Sequence, residues 1–255
     1  MTVTSDAIRA AIEVFVHGYC FGRSLTFPHI ASQVEGLWLL RDAERTNPAD
    51  YRKEEWIAFE VAAETVNRIA KQHSRGRYFV CAVSGKLVSD DELRQEYKRL
   101  GYRLLTTEPL FIHSLRRIPR LQTPKQVATP IRICRVDTMD LAQRFASASR
   151  SRVMTPSQIG GTSPFRQYVA LEGDAIVGWV RSVTVGNCAW VANMRVIEQQ
   201  RRRGIGSALL NQLLRDDRSF GIRQSVLLAS HVGALLYPKL GDQQIGLMYI
   251  FAPPR

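Results

Sequence analysis

Cysteine is scarce in this 255-residue chain: four residues, at positions 20, 81, 134 and 188, none close to another. That scatter excludes a CxxC redox centre or zinc ribbon and offers no disulfide framework. Cys81 and Cys188 lie in apolar, strand-like runs, where a free thiol behaves as a small hydrophobe. No run approaches 18 apolar residues, so no transmembrane helix is predicted. The opening residues, MTVTSDAIRAAIEVFVHGYC, lack the basic start, continuous apolar stretch and small-residue site of a signal peptide. They read as a helix of the fold, and the chain reads as cytoplasmic. Acidic charge is short as well: 23 Asp and Glu against 35 Lys and Arg leave a net charge of +12. The excess favours an anionic ligand. It is spread along the chain, and no zinc finger, RNP motif or basic zipper accompanies it, so nucleic acid is not the favoured partner.

What is present is an α/β pattern. Residues 116–130, RRIPRLQTPKQVATP, carry three prolines and no periodicity, which suggests a connection between two lobes. We divide the chain into a lobe at 1–118, a linker at 119–130 and a lobe at 131–255. In the first lobe, spacing predicts helices over 6–15, 56–69 and 90–100, with strands at 37–42 and 77–83 and extended chain at 104–113. Between them, HGYCFGRSLTFPH has the glycine and aromatic content of a binding loop or of a buried turn. In the second lobe, strand 131–136 and helix 137–149 precede a loop, TPSQIGGTSPF. Two strands joined at Glu172-Gly173-Asp174 follow as a hairpin. After these come AWVANMRVI, a helix, SVLLAS, a second helix ending in LLYPKLG, and a last strand, GLMYIFA.

The densest positive charge, QQRRRGIGSALLNQLL at 199–214, stands between a strand and a helix. Gly204 and Gly206 lack Cβ atoms, so a ligand can approach the backbone there. The first N–H groups of the helix have no partner within it and carry the positive end of its dipole. Such a start attracts phosphate. A third glycine for GxGxxG is missing, since Ser207-Ala208-Leu209 follows Gly206, and there is no GK[ST]. A solvated basic loop before a surface helix remains the plain alternative for these residues taken by themselves.

Taken with its surroundings, the stretch resembles the GCN5-related N-acetyltransferase (GNAT) superfamily. Arg201-Arg202-Arg203-Gly204-Ile205-Gly206 matches the family's [QR]-x-x-G-x-[GA] signature. MRVIEQQ before it is similar to the family's strand exit, with Glu198 where proline is common. About 30 residues later, SHVGALLYPKLG resembles the closing N-x-x-A-x-x-L-Y-x-K-x-G-F helix through Tyr237, Lys239 and Gly241. Ser230 stands for the usual Asn, Gly233 for Ala and Asp242 for the aromatic. The resemblance covers about residues 131–252 and implies a central mixed, mostly antiparallel sheet flanked by helices.

The resemblance implies acetyl-CoA as co-substrate, without a metal, and an amine acceptor. The pantetheine arm would lie along the backbone of Met194, Arg195 and Val196. The pyrophosphate would rest on Arg201, Arg202, Arg203, Gly204, Ile205, Gly206 and Ser207, and Ser230 falls in the same set. Tyr237 would protonate the departing thiolate, a role that suits a side chain protonated at neutral pH. The strand Cys188–Val196 holds no carboxylate, so the base is unassigned. His231 has a suitable pKa and an equally good reading as a capping-region histidine. A non-catalytic module that senses acyl-CoA or binds a partner is the alternative. EYKRLGYRL at 96–104 is similar to LYPKLGDQQ at 236–244, an offset of 140 residues, which suggests that the first lobe is a degenerate copy without the glycine signature.

Overall fold

The computed structural model describes residues 3–87, 89–119, 130–161 and 163–254, and its contacts divide into two units. The first is Met1–Ile112, Leu228–Leu235 and Gln243–Arg255; the second is His113–Leu227 and Leu236–Asp242. Residues 120–129, nearly all of the expected linker, lie outside the described residues.

In the first unit, Thr4 opens helix α1 (Ser5–Ser24) by accepting the Ala7 N–H at 3.3 Å. The helix buries Ile8, Ile12, Phe15 and Val16. Strands β1 (His29–Val34), β2 (Leu37–Asp42), β3 (Glu54–Phe59), β4 (Tyr78–Ser84), β5 (Arg103–His113) and the last strand, β11 (Gln243–Ala252), form a sheet ordered β1-β2-β3-β4-β11-β5. Only β3 and β4 run parallel, and helix α2 (Ala63–His73) makes the crossover between them. Helix α3 (Asp91–Arg99) leads from β4 to β5. The core gathers Trp56, Tyr97, Tyr102, Tyr249 and Phe251, with Phe251 stacked on Tyr97 at 4.3 Å between centroids.

Three expectations for this unit change. Most of the HGYCFGRSLTFPH stretch is helix: α1 continues through Gly18 and Gly22 to Ser24, and only a turn at 25–28 separates it from His29, which begins β1. Trp56 does not start a helix. It lies in β3, whose first five residues are all buried, and a strand apolar on both faces carries no alternation to separate it from a helix. The last strand, which the sequence division assigns to the second lobe, pairs antiparallel with both β4 and β5 of the first unit. A Cβ on Gly246 would stand 2.6 Å from the Ser84 carbonyl oxygen, so a glycine is what lets this strand lie against β4. The segment Leu228–Leu235, with the short helix α7 (His231–Ala234), belongs to the same unit.

The second unit is a sheet ordered β10-β9-β8-β7-β6, formed by β6 (Ile131–Arg135), β7 (Phe165–Glu172), β8 (Ala175–Val185), β9 (Cys188–Val196) and β10 (Gln224–Leu228). The Glu172-Gly173-Asp174 hairpin is present, and every pairing is antiparallel except β9 with β10. Helix α6 (Ile205–Ser219) covers one face. It comes so close that a Cβ on Gly178 would stand 3.2 Å from Leu209 Cδ1 and 3.4 Å from Ile205 Cγ2. Trp179, on the opposite face, meets Phe145 of helix α4 (Met139–Ser149) edge-on at 6.0 Å. The loop before β7 contains a single helical turn, α5 (Pro156–Ile159), closed by a Thr155–Gln158 capping box.

The two units end their last helical turns alike, 140 residues apart. Tyr102 N–H donates to the Tyr97 carbonyl at 3.0 Å and Gly101 N–H to Lys98 at 3.0 Å. Asp242 N–H donates to the Tyr237 carbonyl at 3.2 Å and Gly241 N–H to Pro238 at 3.2 Å. Gly101 and Gly241 both take left-handed φ, 82° and 97°. The likeness seen in sequence extends to the geometry of these two turns.

Candidate functional site

Strand β9 is fully engaged on one edge and half engaged on the other. Towards β8 it pairs from Val185↔Cys188 to Gly178↔Val196, with one irregularity: Val180 faces the two residues Asn193 and Met194. Asn193 has φ 54°, a conformation that asparagine tolerates better than most side chains, and the strand bulges there. Towards β10 the parallel pairing ends at Val226↔Trp190. From Val191 to Val196, the backbone of that edge has no strand partner among the described residues. Unit one differs at the corresponding place: β3 and β4 stay paired over six residues, to Phe59↔Val83.

Beyond β9 a short turn at Glu198–Gln200 leads into the arginines. Arg202 takes φ 64° and Gly204 φ 78°. Left-handed backbone is costly for a side chain with a Cβ, so Gly204 is the natural residue before the helix. The first helical bond of α6 runs from Ala208 N–H to the Gly204 carbonyl at 3.0 Å, leaving the amides of Ile205, Gly206 and Ser207 unused by the helix. Gly204 provides no side-chain cap. A Cβ on Gly206 would sit 3.4 Å from Leu236 Cδ2 and 3.9 Å from Val196 Cγ2. The free edge of β9, the glycines and the bare helix start are therefore continuous.

The three arginines do not act alike. Arg203 is paired with Glu172 at 2.7 Å, and Gln200 Nε2 donates to the other oxygen of that carboxylate at 2.9 Å. Arg201 Nε turns back to the Val196 carbonyl at 3.3 Å. Arg202 is exposed at the rim. Met194 and Val196 are half-buried and Arg195 is exposed.

Tyr237 is 5% exposed. Burial, and then the nearby Asp242 carboxylate, push its phenol up to about 12. Asp242 is itself 6% exposed, and neither of its oxygens has a hydrogen-bond partner among the described residues. Burial pushes its carboxyl up to about 7. Ser230 lies in the first unit, where its hydroxyl accepts the Gly233 N–H at 3.2 Å and caps α7. His231, in that unit too, shares a 2.7 Å hydrogen bond with Thr107, next to Glu108, whose carboxyl burial raises against the pull of His231. The residues grouped in sequence thus fall into two sets: Met194–Ser207 with Tyr237 in the second unit, and Ser230 in the first.

Sequence reasoning passed over Asp242, noted there only as a departure from an aromatic position, and over Arg181 in the middle of β8. Arg181 carries a visible signal, an ionisable residue inside a largely apolar strand run, whereas Asp242, between Gly241 and Gln243, carries none beyond its departure from the aromatic. Among the described residues no group of three or more His, Cys, Asp or Glu could hold a metal, and no helix is long and apolar enough to cross a membrane.

Comparison with known proteins gives a family match over part of the chain and a likeness of fold. Residues 136–241 match the model of the Acetyltransferase (GNAT) family. The structure is similar to a GCN5-related N-acetyltransferase from Kribbella flavida, with TM-score 0.64, 14% identity and 96% of each chain covered. It is similar to a functionally unknown conserved protein from Staphylococcus epidermidis, with TM-score 0.55 and 13% identity over 91% of this chain and 97% of that one. A GCN5-related N-acetyltransferase from Sphaerobacter thermophilus is similar at TM-score 0.52 and 16% identity, over 85% of this chain and 78% of that one. No curated protein sequence matches the chain. At these identities the structures speak for the fold, and the first of them extends that likeness over both units.

Proposed function

From a GNAT-family domain at residues 136–241 we infer that the protein is an acyl-CoA-dependent N-acyltransferase that moves acetyl from acetyl-CoA to a primary amine by direct attack. The observation that carries this reading is the free edge of β9 running into the bare start of α6. An extended chain bearing amides binds such an edge as an added strand does, which suits the pantetheine arm along Met194–Val196. The amides of Arg202 to Ser207 and the dipole of α6 suit a pyrophosphate. Arg201 and Arg202 add charge at the rim, while Arg203 holds the loop to Glu172. Ser230 has a full role as the cap of α7, so we leave it outside the cofactor set.

The chemistry asked of these residues is mostly positioning. A held amine attacks the thioester carbon, the C–N bond forms, the C–S bond breaks and the sulfur leaves as a thiolate. Tyr237, with its phenol raised to about 12, is protonated at neutral pH and keeps an O–H to donate. It is a weaker acid than a thiol, so its main contribution is a hydrogen bond to the developing thiolate, with proton delivery as the product leaves. The base that takes the amine proton is not assigned, because β9 contains no carboxylate.

Removing the Tyr237 hydroxyl tests the role. We expect Tyr237→Phe to lower kcat by about 100-fold while the acetyl-CoA KM changes little, read as thiol release in an acceptor screen. An unchanged kcat would remove Tyr237 from the mechanism. A second reading, an acyl-CoA-sensing module without turnover, draws on the same carboxylate-free β9. Tight acetyl-CoA binding with no thiol release in the screen would favour it.

A further inference from the structure

Strands β7 and β8 send two arginines into the second unit, one to each face of the sheet, and the two are treated differently. Arg166 lies on the α6 face. Its guanidinium meets the Asp217 carboxylate at 2.8 Å, Ser182 Oγ at 3.1 Å and Thr184 Oγ1 at 2.9 Å. Its charge is answered in full. Arg181 lies on the opposite face, in the same row as Trp179. Its Nε is buried without a hydrogen-bond partner, and its guanidinium carbon stands 5.6 Å from the centre of the Phe165 ring. Among the described residues no carboxylate lies within ion-pair distance of it. Burial lowers its pKa from the ordinary 12.5. The residue as a whole is half-buried, and a cation partly withdrawn from water with no counter-charge gains from a ligand that brings the missing anion.

The position of Arg181 says where the anion belongs. It pairs with Ala192, the residue just before the β9 bulge at Asn193. Arg195, beyond the bulge, opposes Trp179 on the same face and stands over its ring at 5.6 Å. Strand β9 supplies no acidic residue to either arginine. Two cations thus flank the bulge on the face away from α6.

We infer that Arg181 binds an anionic group, a carboxylate or a phosphate ester, carried by the acceptor amine, with Arg195 drawing the same group in. This rests on the acyl-CoA reading: with the pyrophosphate on Arg202–Ser207 and the pantetheine arm along Met194–Val196, the acyl end of the thioester points toward the bulge at Asn193. An acceptor of this kind also agrees with the +12 charge of the chain.

The test uses the full chain with acetyl-CoA and three acceptor sets: free α-amino acids, their carboxamides, and ethanolamine phosphate. Thiol release is read for the wild type and for Arg181→Met. An anionic acceptor should lose about 30-fold or more in kcat/KM in the variant, carboxamides should change little, and the amino-acid and phosphate arms identify the anion. Thermal unfolding gives a readout that needs no acceptor. Arg181→Met should raise Tm by about 2 °C, because an apolar chain replaces an unanswered charge, whereas Arg166→Met should lower it by stranding Asp217. If none of the acceptors turns over, this comparison alone decides. A fall in Tm for Arg181→Met like that for Arg166→Met would overturn the inference, as would carboxamides used as well as both the amino acids and ethanolamine phosphate. Failure of the wild type to bind acetyl-CoA would overturn the acyl-CoA reading and the inference together, which separates the two failures.

Discussion

Asp242 occupies a position where the family resemblance has an aromatic, and burial raises its carboxyl from 3.8 to about 7. An acid with a higher pKa in the folded state binds more protons there than in the unfolded chain. The contribution of this carboxyl to stability is therefore greatest below its unfolded value, near pH 4, and is lost as the pH rises to about 7. Replacing the carboxylate should remove that slope. We expect Asp242→Asn to be more stable than wild type at pH 8, by as much as about 4 kcal/mol from the three-unit shift, and close to it at pH 4. Urea unfolding at both pH values checks this; equal stability of the two proteins at pH 8 would mean that the charge is answered. Tyr237, the glycines and the arginines were legible in the sequence as types at a spacing. The loss of Arg203 to Glu172 was not, because the partner lies 31 residues away, beyond strands β8 and β9.

Elements with their own punctuation were legible. Asp90 accepts the Leu93 N–H and opens α3, and Thr138 accepts the Leu141 N–H and opens α4, so both helices were expected nearly where they lie. Buried strands without alternation were not, and β3 was mistaken for the start of a helix. The opening of β9 from β10 was illegible for another reason: it depends on where a register stops, and the bulge beyond it on one backbone angle, at Asn193. That angle is testable. Asn193→Val puts a β-branched residue at φ 54°, which should cost about 1–3 kcal/mol and weaken acetyl-CoA binding, while Asn193→Gly should keep both. Calorimetry and urea unfolding on the pair measure this. Unaltered binding by Asn193→Val would show that the bulge does not shape the site.

At the scale of the whole chain, the second copy was visible in Tyr97 and Tyr237, and their matching turns explain why. The destination of β11 was not visible, since an apolar strand at the end of a chain is most simply given to the nearest sheet. It brings Leu247, Tyr249 and Phe251 into the core of the first unit and its Tyr249 oxygen to the Asp90 N–H at 2.6 Å. A fragment of residues 1–118 should therefore lack a cooperative unfolding transition by circular dichroism, with its aromatic core open on one side. A fragment that unfolds in one sharp step would show that the first unit is complete without β11.

Acyl-CoA binding by the loop Arg201–Ser207 and the edge of β9 is decided by calorimetric titration of acetyl-CoA and CoA into the wild type and Gly206→Asp. An aspartate in the first turn of α6 favours the helix, and at Gly206 its Cβ meets only the side chains of Leu236 and Val196, at 3.4 and 3.9 Å. The fold should survive while a phosphate is repelled. We expect micromolar binding to the wild type and none to the variant. No binding to the wild type, or equal binding to both, would contradict the assignment.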